Sequence, residues 1–115
     1  MTMLTQQKVS SLPPIKRWID DNPDLKLVQV AAQSTRLHIL YLLLSQRMYP
    51  TQLEKELRIQ RRVISFHLGA LEKAKLVESK FGLSEEGNRP QAVRYYSITP
   101  KGKEILQMLL DMRKK

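Results

Sequence analysis

Cysteine is absent from all 115 residues. That absence removes disulfides, thiolate zinc sites and cysteine nucleophiles together, and leaves the redox compartment open. Acids are scarce: 11 Asp and Glu stand against 20 Lys and Arg, a formal net charge of +9 and a pI of about 10. Such a balance favours a polyanionic partner. Long apolar runs are missing, since the longest, Ile39–Leu44, is six residues, far short of the ~20 that a membrane span requires. No basic start followed by an apolar core opens the chain, so neither a secretory signal nor a membrane partner is expected, and a cytoplasmic, nucleoid-associated location is. A Gly-rich phosphate loop, a Ser/His/Asp constellation and paired carboxylates at ligand spacing are also lacking. With only two isolated histidines, His38 and His67, the chain is expected to be no enzyme and to hold no cofactor and no metal.

What is present points to one folded domain. Hydrophobic content is 42%, with helical periodicity, in a chain long enough for a single core. Charge is concentrated: residues 58–75 carry five Lys/Arg and one acid, +4 of the surplus, and residues 101–115 add +3. The same stretch organises the pattern of the chain. Thr51 and Glu54 match an S/T-x-x-E capping box behind Pro50, opening a short helix with Leu53 and Leu57 on one face. Arg58-Ile59-Gln60 breaks the rhythm, and Ile64, Leu68 and Leu71 then follow at i, i+4, i+7. Turning that triplet inward points Arg62, Phe66, Gly69 and Lys73 outward, with Arg61 and Ser65 on the flanks. Helix, tight turn and a helix with a polar, basic outer face is the layout of a DNA-reading helix-turn-helix.

Upstream, residues 1–22 read as a polar arm containing a short helix, with Ile15, Trp18 and Ile19 at helical spacing. The single Trp18 is expected to pack on the domain or on a second subunit. A helix over Asp24–Gln33 presents Leu25, Val28 and Ala32. Next, Ser34-Thr35 offers an N-cap for a helix over Arg36–Gln46, so apolar that it is expected to be the buried centre. Arg36 lies in its first turn, where the helix dipole disfavours a cation. Either a phosphate at that helix start or a local acid would compensate it. Downstream, Leu76–Phe81 and Ala92–Ile98 read as two strands of a hairpin whose loop runs from Gly82 to Pro90. Thr99 and Pro100 start a last helix with Ile105, Leu109 and Met112 beside Leu106 and Leu110. A stripe so wide reads as an oligomer surface. The expected division is therefore an arm (1–22), a DNA-binding domain (23–98) and a dimerisation helix (99–115).

Three segments, AAQSTRLHILYLLL, IQRRVISFHLGALEKAKLVESK and YYSITPKGKEIL, resemble the opening, the recognition unit and the second wing strand with last helix of ArsR-type transcriptional regulators. The long wing with Gly87-Asn88-Arg89-Pro90 is as close to MarR- and PadR-type regulators. Over residues 24–110 the resemblance implies a mainly α fold with a small β-hairpin, the winged helix-turn-helix order α-α-α-α-β-β-α. Three departures stand out. The ligand sets of the family's metal sensors are missing; Arg58 occupies a turn position where glycine is common; and Phe66 stands where arginine is common.

The resemblance further implies double-stranded DNA as partner and a homodimer, most simply a repressor, reading an inverted repeat. The recognition helix would place Gln60, Arg61, Arg62, Ser65 and Phe66 in the major groove, where Arg61 or Arg62 reads guanine and Phe66 covers a thymine methyl or tucks against the wing or the neighbouring helix. Arg36, Thr51, Lys73, Arg89 and Arg94 are the backbone or wing candidates. Dimerisation is expected through Trp18, Leu25, Val28, Ile105, Leu109 and Met112. The Glu85-Glu86 pair must turn away from DNA for Arg89 to be presented. A winged helix serving as a protein-interaction module, or binding DNA or structured RNA without sequence preference, is the alternative. Any small-molecule effector is left unspecified.

Overall fold

The computed structural model describes residue 17, residues 20–84 and residues 86–112. Trp18, Ile15 and Ile19 of the arm, and Glu85 of the hairpin loop, lie outside the described residues. The elements run α1 (Pro23–Ala31), α2 (Ser34–Leu43), α3 (Pro50–Leu57), α4 (Arg61–Lys73), β1 (Val77–Ser84), β2 (Gln91–Ile98) and α5 (Pro100–Met112). This is the winged helix-turn-helix order.

The core forms where the apolar stripes of four helices meet the base of the hairpin. Ile64, Leu68 and Leu71 of α4 are fully buried, as the spacing requires, with Ile39, Leu40 and Leu43 of α2 and Leu53 of α3. Leu76, Val77, Tyr96 and Ile98 close the cluster from the hairpin side. The first helix is rotated from expectation: Ala31 is its buried residue, Leu27, Val28 and Val30 pack on the core, and Ala32 is exposed. Its last turn explains this, because the helix stops at Ala31 and Ala32 is already the cap, donating its N–H to Val28.

The second helix corrects two expectations. It is capped not by Ser34-Thr35 but by Gln33, whose Oε1 accepts from the Arg36 backbone N–H at 2.9 Å. Nor is it buried all round: His38, Tyr41 (58% exposed) and Leu44 face outward. A continuous apolar run carries no phase of its own, so only the packed structure divides it into core and surface.

The third helix begins one residue before Thr51. Pro50 takes its first position, and the cap is local to Tyr49, whose N–H donates to Gln52 Oε1 at 3.1 Å while its carbonyl accepts from Gln52 N–H. Thr51 and Glu54 are thereby freed from capping. Arg58 ends the helix in the left-handed region (φ 56°, ψ 43°), donating its N–H to Glu54 O at 2.8 Å. The fourth helix ends similarly, with Lys75 at φ 62° and paired bonds from Lys75 N–H to Glu72 O and Leu76 N–H to Leu71 O, a Schellman closure.

The strands pair antiparallel from Val77↔Ile98 to Ser84↔Gln91, so β1 starts one residue later and ends three residues later than expected. Gly82 belongs to the ladder rather than to the loop because the Tyr95 ring lies on it, leaving a Cβ only 3.0 Å from that ring. Met48 adds an isolated bridge to Tyr96. The last helix is capped as expected: Thr99 Oγ1 accepts from Gly102 N–H at 3.0 Å. Thr99 also donates its hydroxyl to Lys75 O and its N–H to Leu76 O. Ile105 and Leu106 are buried in the core, which corrects the placing of Ile105 on a subunit interface; the stripe is wide because one edge of it serves the domain itself.

Two substitutions test this frame by thermal denaturation. A Cβ on Gly102 would stand 2.1 Å from the Leu76 carbonyl oxygen, so Gly102→Ala is expected to cost about 2–3 kcal/mol. Arg58→Gly is expected to stabilise by about 0.5–1 kcal/mol, the relief of a left-handed side chain less the greater freedom of unfolded glycine.

Candidate nucleic-acid interface

Burying Ile64, Leu68 and Leu71 leaves Arg62, Ser65, Phe66, Gly69 and Lys73 on the open side of α4, and all five are exposed. Gln60 caps the helix through its backbone, its carbonyl accepting from Val63 and Ile64, and its side chain is exposed. Arg62 makes no hydrogen bond or ion pair among the described residues and sits in the first turn, where the backbone dipole already favours an anion. Phe66 is 67% exposed, far from tucked away. Gly69, two-thirds along the helix, has open space above it and lets a partner approach the backbone.

Arg61 is placed differently from its neighbour. Its Nε donates to Glu54 Oε2 at 3.1 Å and its NH2 group to Thr51 Oγ1, so the two residues that resemble a capping box instead clamp an arginine from across the turn. Arg36 departs further from expectation. Its partners among the described residues include no acid: its Nε donates to His67 Nδ1 at 3.0 Å and its NH1 to Val30 O at 3.0 Å, in a half-buried position. His67 is buried, and first that burial, then the Arg36 charge, hold its pKa below the usual histidine value. The imidazole is therefore favoured neutral, with Nδ1 as acceptor and the proton on Nε2. His38 is exposed rather than buried.

The wing carries Arg89 at its tip, exposed and unpaired among the described residues. Arg94 lies on β2 with its guanidinium 5.0 Å from the centroid of the cross-strand Phe81 ring. Glu86 is turned inward: it accepts from Tyr49 Oη at 2.6 Å and from Gln52 Nε2 at 3.0 Å. Tyr49 Oη also meets the buried Ser84 Oγ at 2.9 Å. The Tyr49 bond first, then the Gln52 bond, hold the Glu86 carboxyl below the usual carboxylate range, and the Glu86 bond raises the Tyr49 phenol against an opposing effect of Ser84. The wing is thus latched to the start of α3 by the acid that would otherwise repel DNA. Sequence spacing gave no sign of the latch, because its partners lie 34 to 37 residues apart.

Of the expected subunit contacts, Leu25 and Val28 are half-buried, Val28 against the core. Leu109 packs partly on the core, and Met112 is 69% exposed beside the exposed Met108. An open concavity of about 700 Å³ runs between α2 and α5, lined by Leu37, His38, Tyr41, Leu109 and Leu110 among others. Among the described residues no cluster of three or more His, Asp or Glu is placed to hold a metal ion, and no helix is long and apolar enough to cross a membrane.

An exposed helix, a short turn before it and a latched wing that carries Arg89 make the arrangement of a winged-helix DNA-binding transcriptional regulator. Residues 33–79 match the model of the bacterial regulatory protein, arsR family. A candidate transcriptional regulator for arsenical resistance is 32% identical, covering 74% of this chain and 80% of its own, with a TM-score of 0.56. HlyU from Vibrio cholerae N16961 shares the fold at 22% identity, over 84% of this chain and 97% of its own, with a TM-score of 0.63. So does a MarR-family regulator from Enterococcus faecalis V583, at 21% identity, over 78% and 79%, with a TM-score of 0.64. No curated protein matches in sequence. The chain belongs to the ArsR family of bacterial regulatory proteins.

The wing latch predicts a titration. Glu86 contributes stability above its unfolded pKa, and that contribution disappears as pH falls through its depressed folded value. Tyr49→Phe is expected to move the Glu86 carboxyl back up toward the ordinary glutamate range in an NMR pH titration. An unmoved titration would mean that Tyr49 does not hold the wing.

Proposed function

We propose that the protein is a homodimeric transcriptional repressor that reads an inverted repeat in double-stranded DNA. The observation that carries this reading is the open face of α4, where Arg62 is unpaired among the described residues and Phe66 is largely exposed while the helix's apolar stripe is locked in the core. Arg62 is the guanine reader in the major groove, donating to O6 and N7. Phe66 covers a thymine methyl, Ser65 and Gln60 add polar contacts, and Lys73 meets the sugar-phosphate backbone. Arg61, held by Glu54 and Thr51, presents its charge over the start of α3 toward phosphate rather than toward a base. Arg89 enters the neighbouring minor groove from a wing whose Glu86 is turned away, while Arg94, resting on Phe81, makes a secondary backbone contact.

Pairing of two protomers proceeds through the exposed side of α5, with Met108, Met112 and Leu109, and through Leu25 of α1. The exposed methionines and the adjoining concavity support this surface. Two recognition helices then lie about one helical turn, ~34 Å, apart. Blocking a promoter is the resulting output, and a cytoplasmic, nucleoid-bound location goes with it.

Selection of bound sequences from random duplex DNA at physiological salt tests the reading. An enriched palindrome is expected; binding without enrichment, or no binding, would overturn it. With eight phosphates neutralised by the dimer, the slope of log K against log salt should be roughly −7. Arg62→Ala is expected to relax preference at one operator position, at a cost of about 1–3 kcal/mol, with the melting temperature unchanged.

A further inference from the structure

Arg36 is fixed at both ends. Its backbone N–H is held by Gln33 Oε1, and its guanidinium reaches in two directions. One bond goes to Val30 O, among the last four carbonyls of α1, which have no partner within the helix. The other goes to His67 Nδ1 on α4, 31 residues along the chain. The same guanidinium carbon lies 5.9 Å from the centroid of the Phe66 ring, and the Phe66 and His67 rings meet edge to face at 5.3 Å and 71°. Adjacent residues on a helix diverge by about 100°. Arg36 therefore grips α4 at the border between its buried flank, where His67 lies, and its open face, where Phe66 stands.

An exposed phenylalanine with no neighbours would exchange among rotamers, and ordering it on binding would cost side-chain entropy. Here the ring has a guanidinium and an imidazole beside it, both immobilised by the Arg36–His67 bond. We propose that Arg36 is a positioning residue for base readout: it orients the Phe66 ring in the major groove through His67, and so sets specificity without touching DNA. Lysine would keep the charge but not the geometry, because only a planar guanidinium donates from Nε and NH1 to two acceptors in fixed directions. The role rests on the proposed DNA-reading function.

The full chain carrying Arg36→Lys, Arg36→Gln, Phe66→Ala or Phe66→Ala with Arg36→Gln is titrated against the selected operator, against single-base variants of it and against unrelated duplex. Arg36→Gln and Arg36→Lys are expected to lower discrimination at the base pair that Phe66→Ala also affects, by about fivefold. Affinity for unrelated duplex and the salt slope should stay within error. In the double variant the loss should be no larger than in Phe66→Ala alone, since Arg36 acts through the ring. The 15N signature of His67 supplies a readout without DNA: Nδ1 should resonate as a hydrogen-bonded, unprotonated nitrogen in the wild type and lose that bond shift in Arg36→Gln. Additive losses, or a salt slope reduced by about one, would make Arg36 a phosphate contact and overturn the proposal. So would an unchanged His67 signature. Absence of sequence preference in the wild-type protein would instead overturn the proposed function, and the His67 signature would still report whether the grip exists.

Discussion

Everything outward on the recognition helix depends on three side chains that cannot be in water. Ile64, Leu68 and Leu71 are fully buried, and each such burial is worth roughly 1.5–3 kcal/mol. Turning α4 by one residue would expose much of that surface, a cost well above what any single surface contact of Arg62 or Phe66 could return. The core therefore sets the angle at which the helix faces its partner, and the open face can change its chemistry without changing that angle. Leu53 from α3 and Ile39, Leu40 and Leu43 from α2 close around the same stripe, so the helix-turn-helix is held as one rigid piece.

Charge in this protein is organised by position rather than by total. Three arginines near the recognition helix have three different situations: Arg62 is unpaired among the described residues, Arg61 is clamped by Glu54 and Thr51, and Arg36 is withdrawn onto a neutral imidazole. The acid at the wing does the reverse of what its sign suggests. Glu86 is consumed by Tyr49 and Gln52, and in being consumed it draws the hairpin loop toward α3. An unfavourable charge for a polyanion partner thus becomes a brace for the wing.

Wherever a rule spans one helical turn or one strand repeat, the chain could be read directly. The i, i+4, i+7 triplet of α4, the Arg58-Ile59-Gln60 turn, the existence of the hairpin though not the end of its first strand, and the Thr99-Pro100 start of α5 stand where their spacing puts them. Reading fails where two local rules compete or where a partner is distant. Thr51-x-x-Glu54 satisfies the capping pattern, yet Pro50 and Gln52 start the helix first and the pair turns to Arg61. Ile105 belongs to an apolar stripe that serves two surfaces, and composition does not say where one ends. The Arg36–His67 bond and the Tyr49–Glu86 latch join residues 31 and 37 apart, beyond any periodicity.

The junction at Lys75 and Leu76 has a wider meaning. The carbonyl of each is bonded to Thr99, and Gly102 lies so close to Leu76 O that no side chain fits between. Where the recognition helix ends and the wing begins, the last helix is therefore welded on, with no slack to absorb a displacement. Three elements, α4, β1 and α5, thus share one anchor at the base of α5. A change that moves the start of α5 therefore meets the end of α4 and the start of β1 at one and the same point.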